Sequence, residues 1–73
     1  SKAVRLLVRH GLDVNHASAR GVTPLHEAAF IGDEDAIRLL CAAGARLSSV
    51  TFTGATPFDW LSLSLYGRQK AAQ

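Results

Sequence analysis

The sequence predicts an all-α repeat solenoid, built from helix-turn-helix units joined by β-hairpin-like turns. Three observations predict it. A shift of 33 residues lays Gly11 on Gly44, Gly21 on Gly54, Thr23-Pro24 on Thr56-Pro57 and Leu6-Leu7 on Leu39-Leu40, and self-similarity at such a period marks a repeat array. Each Thr-Pro pair reads as a helix start: the threonine hydroxyl can cap the free amides of a first turn, and the proline lacks an N–H where none is needed. The recurring glycines read as helix stops, because they take the left-handed conformation that ends a helix.

The elements follow in order. Ser1 to His10 has the pattern of a helix interior, with Val4, Leu7 and Val8 on one face, and Gly11 ends it. The stretch Gly21 to Gly32 is a complete turn, start, helix and stop. Leu25, Ala28 and Ala29 make a narrow face of small residues. Asp33-Glu34-Asp35 opens a second helix, where acids interact favourably with the exposed N–H groups. Ile37, Leu40 and Cys41 form its apolar stripe, widened by Ala36, Leu39 and Ala43, before Gly44 stops it. From Ala45 to Thr53 the β-branched and turn-forming residues favour an extended or hairpin-like connection. Pro57 to about Tyr66 should be helix, slightly longer than its counterpart because Leu65 stands where the stop glycine was, with Arg68 to Gln73 as an incomplete second helix.

Seventy-three residues allow one compact unit, with 48% hydrophobic and 19% charged residues and a net charge of +2, too weak a positive balance to argue for nucleic acid. The basic residues Arg5, Arg9, Arg20, Arg38, Arg46, Arg68 and Lys70 are spread and interleaved with acids, as on a solvated face. No apolar run approaches the roughly 18 residues that cross a bilayer. The first residues also lack the order of a signal peptide. Cys41 is the single cysteine, so no internal disulfide can form. An intracellular protein of cytoplasm or nucleus, with no membrane partner, is the expectation.

The order Gly21-x-Thr23-Pro24-Leu25-His26-x-Ala28-Ala29, then Gly32, Leu39-Leu40 and Gly44-Ala45 on a 33-residue period, resembles the ankyrin repeat. Gly11-Leu12-Asp13-Val14-Asn15 resembles the family's Gly-Ala-Asp-Val-Asn. The resemblance divides the chain into the end of one repeat (1–17), a complete repeat (18–50), and a third (51–73) that begins well and diverges at Phe58-Asp59-Trp60-Leu61-Ser62, as a terminal cap or a cut repeat. Such stacks usually need about three repeats. Further repeats are therefore expected upstream, or a partner that covers Val4, Leu7 and Val8.

For His26 the resemblance implies a hydrogen bond with the Thr23 hydroxyl and a link to the next repeat's backbone. Asp59 takes the matching place after Thr56 and makes a capping box. His10, His16 and His26 show neither the i, i+4 pairing of a helical zinc site nor finger spacing with a cysteine, so no metal or cofactor is expected. Cys41, where the family usually has leucine, reads as a buried, inert thiol. Ser48-Ser49 and Ser62-x-Ser64 lack a recognisable histidine and acid, and no phosphate loop is present. The chain therefore reads as no enzyme. Trp60 and Tyr66 read as packing residues of the terminal repeat rather than a base-stacking platform.

What the resemblance implies is recognition of a protein or peptide on the concave face of the stack. The family's usual contact positions fall on Ala19, Arg20 and Val22, on Phe30 and Ile31, and on Phe52, Thr53 and Ala55, with Leu63 and Ser64 matching Phe30 and Ile31. Arg20, Val22, Phe30, Ile31, Phe52 and Thr53 are the candidate partner-binding residues. Phe30 has two readings: an exposed anchor, or a side chain packed against Leu63. The alternative function is a structural spacer or capping segment of a larger scaffold, of an adaptor such as a ubiquitin-ligase substrate receptor, or of an enzyme subunit.

Overall fold

Residues 2–72, with side chains through residue 65, are described by a computed structural model. They form α1 (Lys2–Arg9), α2 (Pro24–Ile31), α3 (Glu34–Ala42) and α4 (Pro57–Ala72), with no strand among them. Helix α2 packs beside α4 in one layer, α1 beside α3 in a second, and α2 against α3 across the layers. The core lies between the layers: Val14, Leu25, Ala28, Ala36 and Leu40, with Val4, Leu7, Val8, Ile37 and Ala45 packed against it. Small residues on α2 let α3 approach closely, and Leu40, at 0% exposure, fills the space.

Both ends of α2 are fixed locally. The amide of His26 donates to Thr23 Oγ1 (3.3 Å) and the amide of Thr23 donates to His26 Nδ1 (3.2 Å), a reciprocal cap with His26 in the role of the usual Glu or Gln. Gly32 closes the helix at φ 78°, where its own amide and that of Asp33 donate to Ala28 and Ala29 carbonyls. The next helix starts at once, with Asp33 accepting from the Ala36 amide at 3.1 Å. Glu34 and Arg38 then pair across one turn at 3.9 Å, both exposed.

His26 also joins two repeats. Its ring is fully buried, and Nε2 lies 2.8 Å from the Ala55 carbonyl oxygen. A carbonyl only accepts, so Nε2 carries the proton and Nδ1 accepts from Thr23, whose hydroxyl lies 2.8 Å away. The expected link is present. So is the Asp59 capping box: Asp59 Oδ2 accepts from the Thr56 amide (2.8 Å) and hydroxyl (3.0 Å), while the Asp59 amide donates to Thr56 Oγ1 (3.2 Å).

Two expectations need correction. Helix α4 does not end near Tyr66 but continues to Ala72, so residues from Arg68 onward extend it rather than begin a second helix; Gln73 lies outside the described residues. Leu65 replaces the stop glycine, and its side chain would meet the left-handed conformation at a cost of about 1–2 kcal/mol. Cys41 is exposed, not buried, because no described element lies over that part of the α3 stripe. The Tyr66, Arg68 and Lys70 side chains lie outside the described residues.

Replacing His26 by alanine should lower unfolding free energy by about 3 kcal/mol, since it removes a buried side chain and orphans its partners. Thr23→Ala should cost about 1 kcal/mol through the cap alone. Urea midpoints of the two variants check the order.

The bonds from the Ala36 amide to Asp33 and from the Thr56 amide and hydroxyl to Asp59 favour the ionised carboxylates, holding both below the ordinary 3.8. A native pKa below the unfolded one gives stabilisation that is complete above the unfolded value and lost as pH falls through the native value. Stability should therefore be level in this respect down to about pH 5 and fall below about pH 4. Asp59→Asn should flatten part of that fall in urea midpoints measured against pH.

Candidate partner-binding surface

The turns that precede α2 and α4 are copies of one device. The Ser18 amide donates to the Val22 carbonyl and Gly21 to Ser18; one period on, Thr51 donates to Ala55 and Gly54 to Thr51, all at 2.9 Å. Ser18 Oγ and Thr51 Oγ1 accept the amides of Val22 and Ala55 in the same way. The turns are therefore hairpin-like by hydrogen bonding. A bond between them, from the Phe52 amide to the Arg20 carbonyl at 3.1 Å, aligns the two tips.

Gly21 makes that approach possible. Its φ is +78°, and a Cβ there would lie 3.1 Å from Thr51 Cα. Only glycine meets both demands without displacing the next turn.

Between the aligned tips and α4 runs a groove of about 440 Å³, lined by Arg20, Val22, Thr51, Phe52, Thr53 and Trp60. Four of the six candidate residues, Arg20, Val22, Phe52 and Thr53, thus share one surface. Phe52 is 82% exposed at its rim. The Arg20 guanidinium has no carboxylate partner among the described residues.

Phe30 belongs to an adjoining hollow with Trp60 and Leu63. Its ring meets Trp60 edge-on at 5.8 Å between centroids, and Trp60 meets His26 in the same manner at 5.3 Å. Phe30 nevertheless remains 55% exposed. It is both packed and available: one edge rests on Trp60 and the rest faces solvent beside Leu63.

The structure does not bring Ile31 to this surface. With Pro24, Glu27 and Ala28 it forms one stripe of α2 that faces Ala3, Val4 and Leu7 of α1 across a separate groove. Trp60 was the residue that sequence reasoning missed. It is half-buried and walls both hollows. The 33-residue register held the signal, since it aligns Trp60 with Glu27, on the side of the helix that faces the preceding repeat.

Among the described residues no three histidine, cysteine, aspartate or glutamate side chains converge as a metal site. No helix among them is long and apolar enough to cross a membrane.

Gly21→Ala should cost about 2 kcal/mol or more, through both its φ and the contact with the next turn. Gly54→Ala, where the added Cβ meets nothing at φ +80°, should cost about 1 kcal/mol. Chemical denaturation of the pair checks the difference.

Comparison with known proteins agrees with this architecture. A family model described as ankyrin repeats (many copies) matches residues 2–41. Protein phosphatase 1 regulatory subunit 12A of Mus musculus is 39% identical over 59 residues, which cover 81% of this chain and 6% of that protein. The same subunit of Rattus norvegicus gives the same figures. Inactive serine/threonine-protein kinase TEX14 of Bos taurus is 38% identical over 60 residues, 82% of this chain and 4% of that protein. The chain thus spans a small fraction of these relatives' length. With its period, capped helices, turn device and family match in agreement, the chain belongs to the ankyrin-repeat family.

Proposed function

We propose that this chain is a non-catalytic module that binds a protein or peptide partner through the surface formed by Arg20, Val22, Phe30, Phe52 and Thr53, with Trp60 at its centre. One observation carries the reading: two aligned turns and α4 hold exposed Phe52 and an Arg20 with no carboxylate partner among the described residues around a largely apolar groove. Aromatic side chains and arginine are the residue types that most often dominate binding energy at protein interfaces. Family membership supports the interaction role in general. The matched relatives are by name a regulatory subunit and an inactive kinase, which points the same way.

Ile31 takes a different part. Its groove with Ala3, Val4 and Leu7 is apolar enough to receive a further ankyrin repeat packed upstream. In that arrangement Ile31 becomes a stacking residue, and the partner surface lies on the side of the turns.

Phe52→Ala should weaken capture of a partner by the full-length protein about tenfold or more, with the melting temperature unchanged because the ring is mostly in solvent. Phe30→Ala should weaken it too, with a modest loss of stability from the Trp60 contact. Pull-down with the full-length protein, followed by affinity and thermal-melt measurements on both variants, checks this. A loss of stability with unchanged affinity would assign these residues to a structural spacer instead.

A further inference from the structure

The groove at the turns and the hollow beside Phe30 share one wall, Trp60, and so form a single strip. Its order follows from the helices. Arg20 and Thr53 stand on the two turn tips at equivalent places, one period apart. Helix α4 begins at Pro57, so Trp60 lies close behind the tips and Leu63 one turn further, about 4.5 Å along the axis. Phe30 is Leu63 moved back by one period, at the same depth on α2. The strip therefore runs from a polar end at the tips to an apolar end between Phe30 and Leu63, which are 55% and 61% exposed. Arg20 is the only charged side chain that lines it.

The strip lies within a pair of repeats, not at an end of the array. Trp60 aligns with Glu27, on the side of the helix that faces the preceding repeat, and its ring meets His26 and Phe30 of that repeat. A repeat stacked beyond α4 would lie on the side away from α2, and one stacked before α1 would meet the separate groove of Ala3, Val4 and Leu7.

We propose that the strip reads a peptide segment of a protein partner by one carboxylate and two apolar side chains in linear order. The carboxylate, of an Asp or Glu, lies against Arg20. The first apolar side chain fills the groove against Phe52 and Trp60, and the second the hollow between Phe30 and Leu63. This rests on the partner-binding reading of the same surface and adds the chemistry that the surface selects. The Arg20 guanidinium has no carboxylate partner among the described residues, and its planar fork of donors matches a carboxylate. Apolar walls beside it keep water away and strengthen that attraction. A single cation in an apolar strip suits one carboxylate, whereas a nucleic acid or an anionic bilayer calls for several cations in a row.

The test selects random short peptides displayed on phage against the full-length protein, with its Phe52→Ala variant as the counter-selection. Peptides that need Phe52 should carry an acidic residue with two apolar residues to one side of it. For such a peptide, labelled with fluorescein and followed by anisotropy, Arg20→Gln should weaken binding about fivefold, an effect that fades with salt. Exchanging the peptide's acid for its amide should cost the same, and both changes together no more than either alone. Selection on Arg20→Glu should return lysine in place of the acid. Arg20 is exposed and holds the turns through its backbone, so both variants should keep the melting temperature. Phe52-dependent peptides without an acid, or additive losses in the paired changes, would overturn the carboxylate reading and leave the surface in place. Failure to recover any Phe52-dependent peptide would overturn both.

Discussion

The seam between the last two repeats is built around the fully buried ring of His26, whose Nε2 donates to the Ala55 carbonyl. A histidine can do this because it has two ring nitrogens with opposite duties. One accepts from Thr23 within its own repeat, and the other donates to the backbone of the next. The cap of α2 and the seam between repeats are thus a single network, and among the described residues no buried side-chain nitrogen or oxygen lacks a partner. Trp60 then closes over the imidazole edge-on, so the polar link sits beneath an aromatic cover. The proposed partner surface and the bond that joins the repeats thus meet at Trp60.

The third repeat shows what is lost when that arrangement changes. Asp59 caps its own helix through Thr56 as well as His26 does through Thr23. A carboxylate satisfied by Thr56 has no N–H to offer the next repeat, so the local half of the network persists without the long-range half. Leu65 in place of a glycine removes the stop as well, and α4 runs on to Ala72. Among the described residues, the positions that the period would give to the start of a second helix belong to α4 instead.

Much of this was legible in the sequence because the repeat states its own rules twice. The Thr-Pro starts, the stop at Gly32 and the acidic start of α3 could be placed from residues near in sequence or one period away, while the His26 bridge came from the family resemblance alone. What could not be placed depends on packing across elements. Cys41 lies on a helical stripe that looks buried, yet no described element covers its far end. Ile31 and Phe30 are neighbours on one helix, yet Phe30 lines the hollow beside Trp60 of α4 and Ile31 the groove beside α1, which only the packing of the helices decides. Trp60 reads as ordinary core from composition, and becomes a surface wall only when two turns align in front of it. The course of α4 beyond Leu65 turned on whether a lone glycine at 67 ends a helix, and one glycine inside a helix costs only about 1 kcal/mol.

The close approach at Gly21 has a geometric consequence for the stack. At the turns, neighbouring repeats are pinned at backbone contact, by the Phe52 to Arg20 bond and by a glycine with no Cβ to intervene. In the layer of α1 and α3 their separation is set instead by interleaved side chains such as Leu7 and Leu40. One edge of the array is held short and the other is spaced by bulk, so successive repeats fan out like wedges. The radius of curvature is then a property of two kinds of residue, and a single methyl group at position 21 would act on it as a shim at the inner edge of an arch.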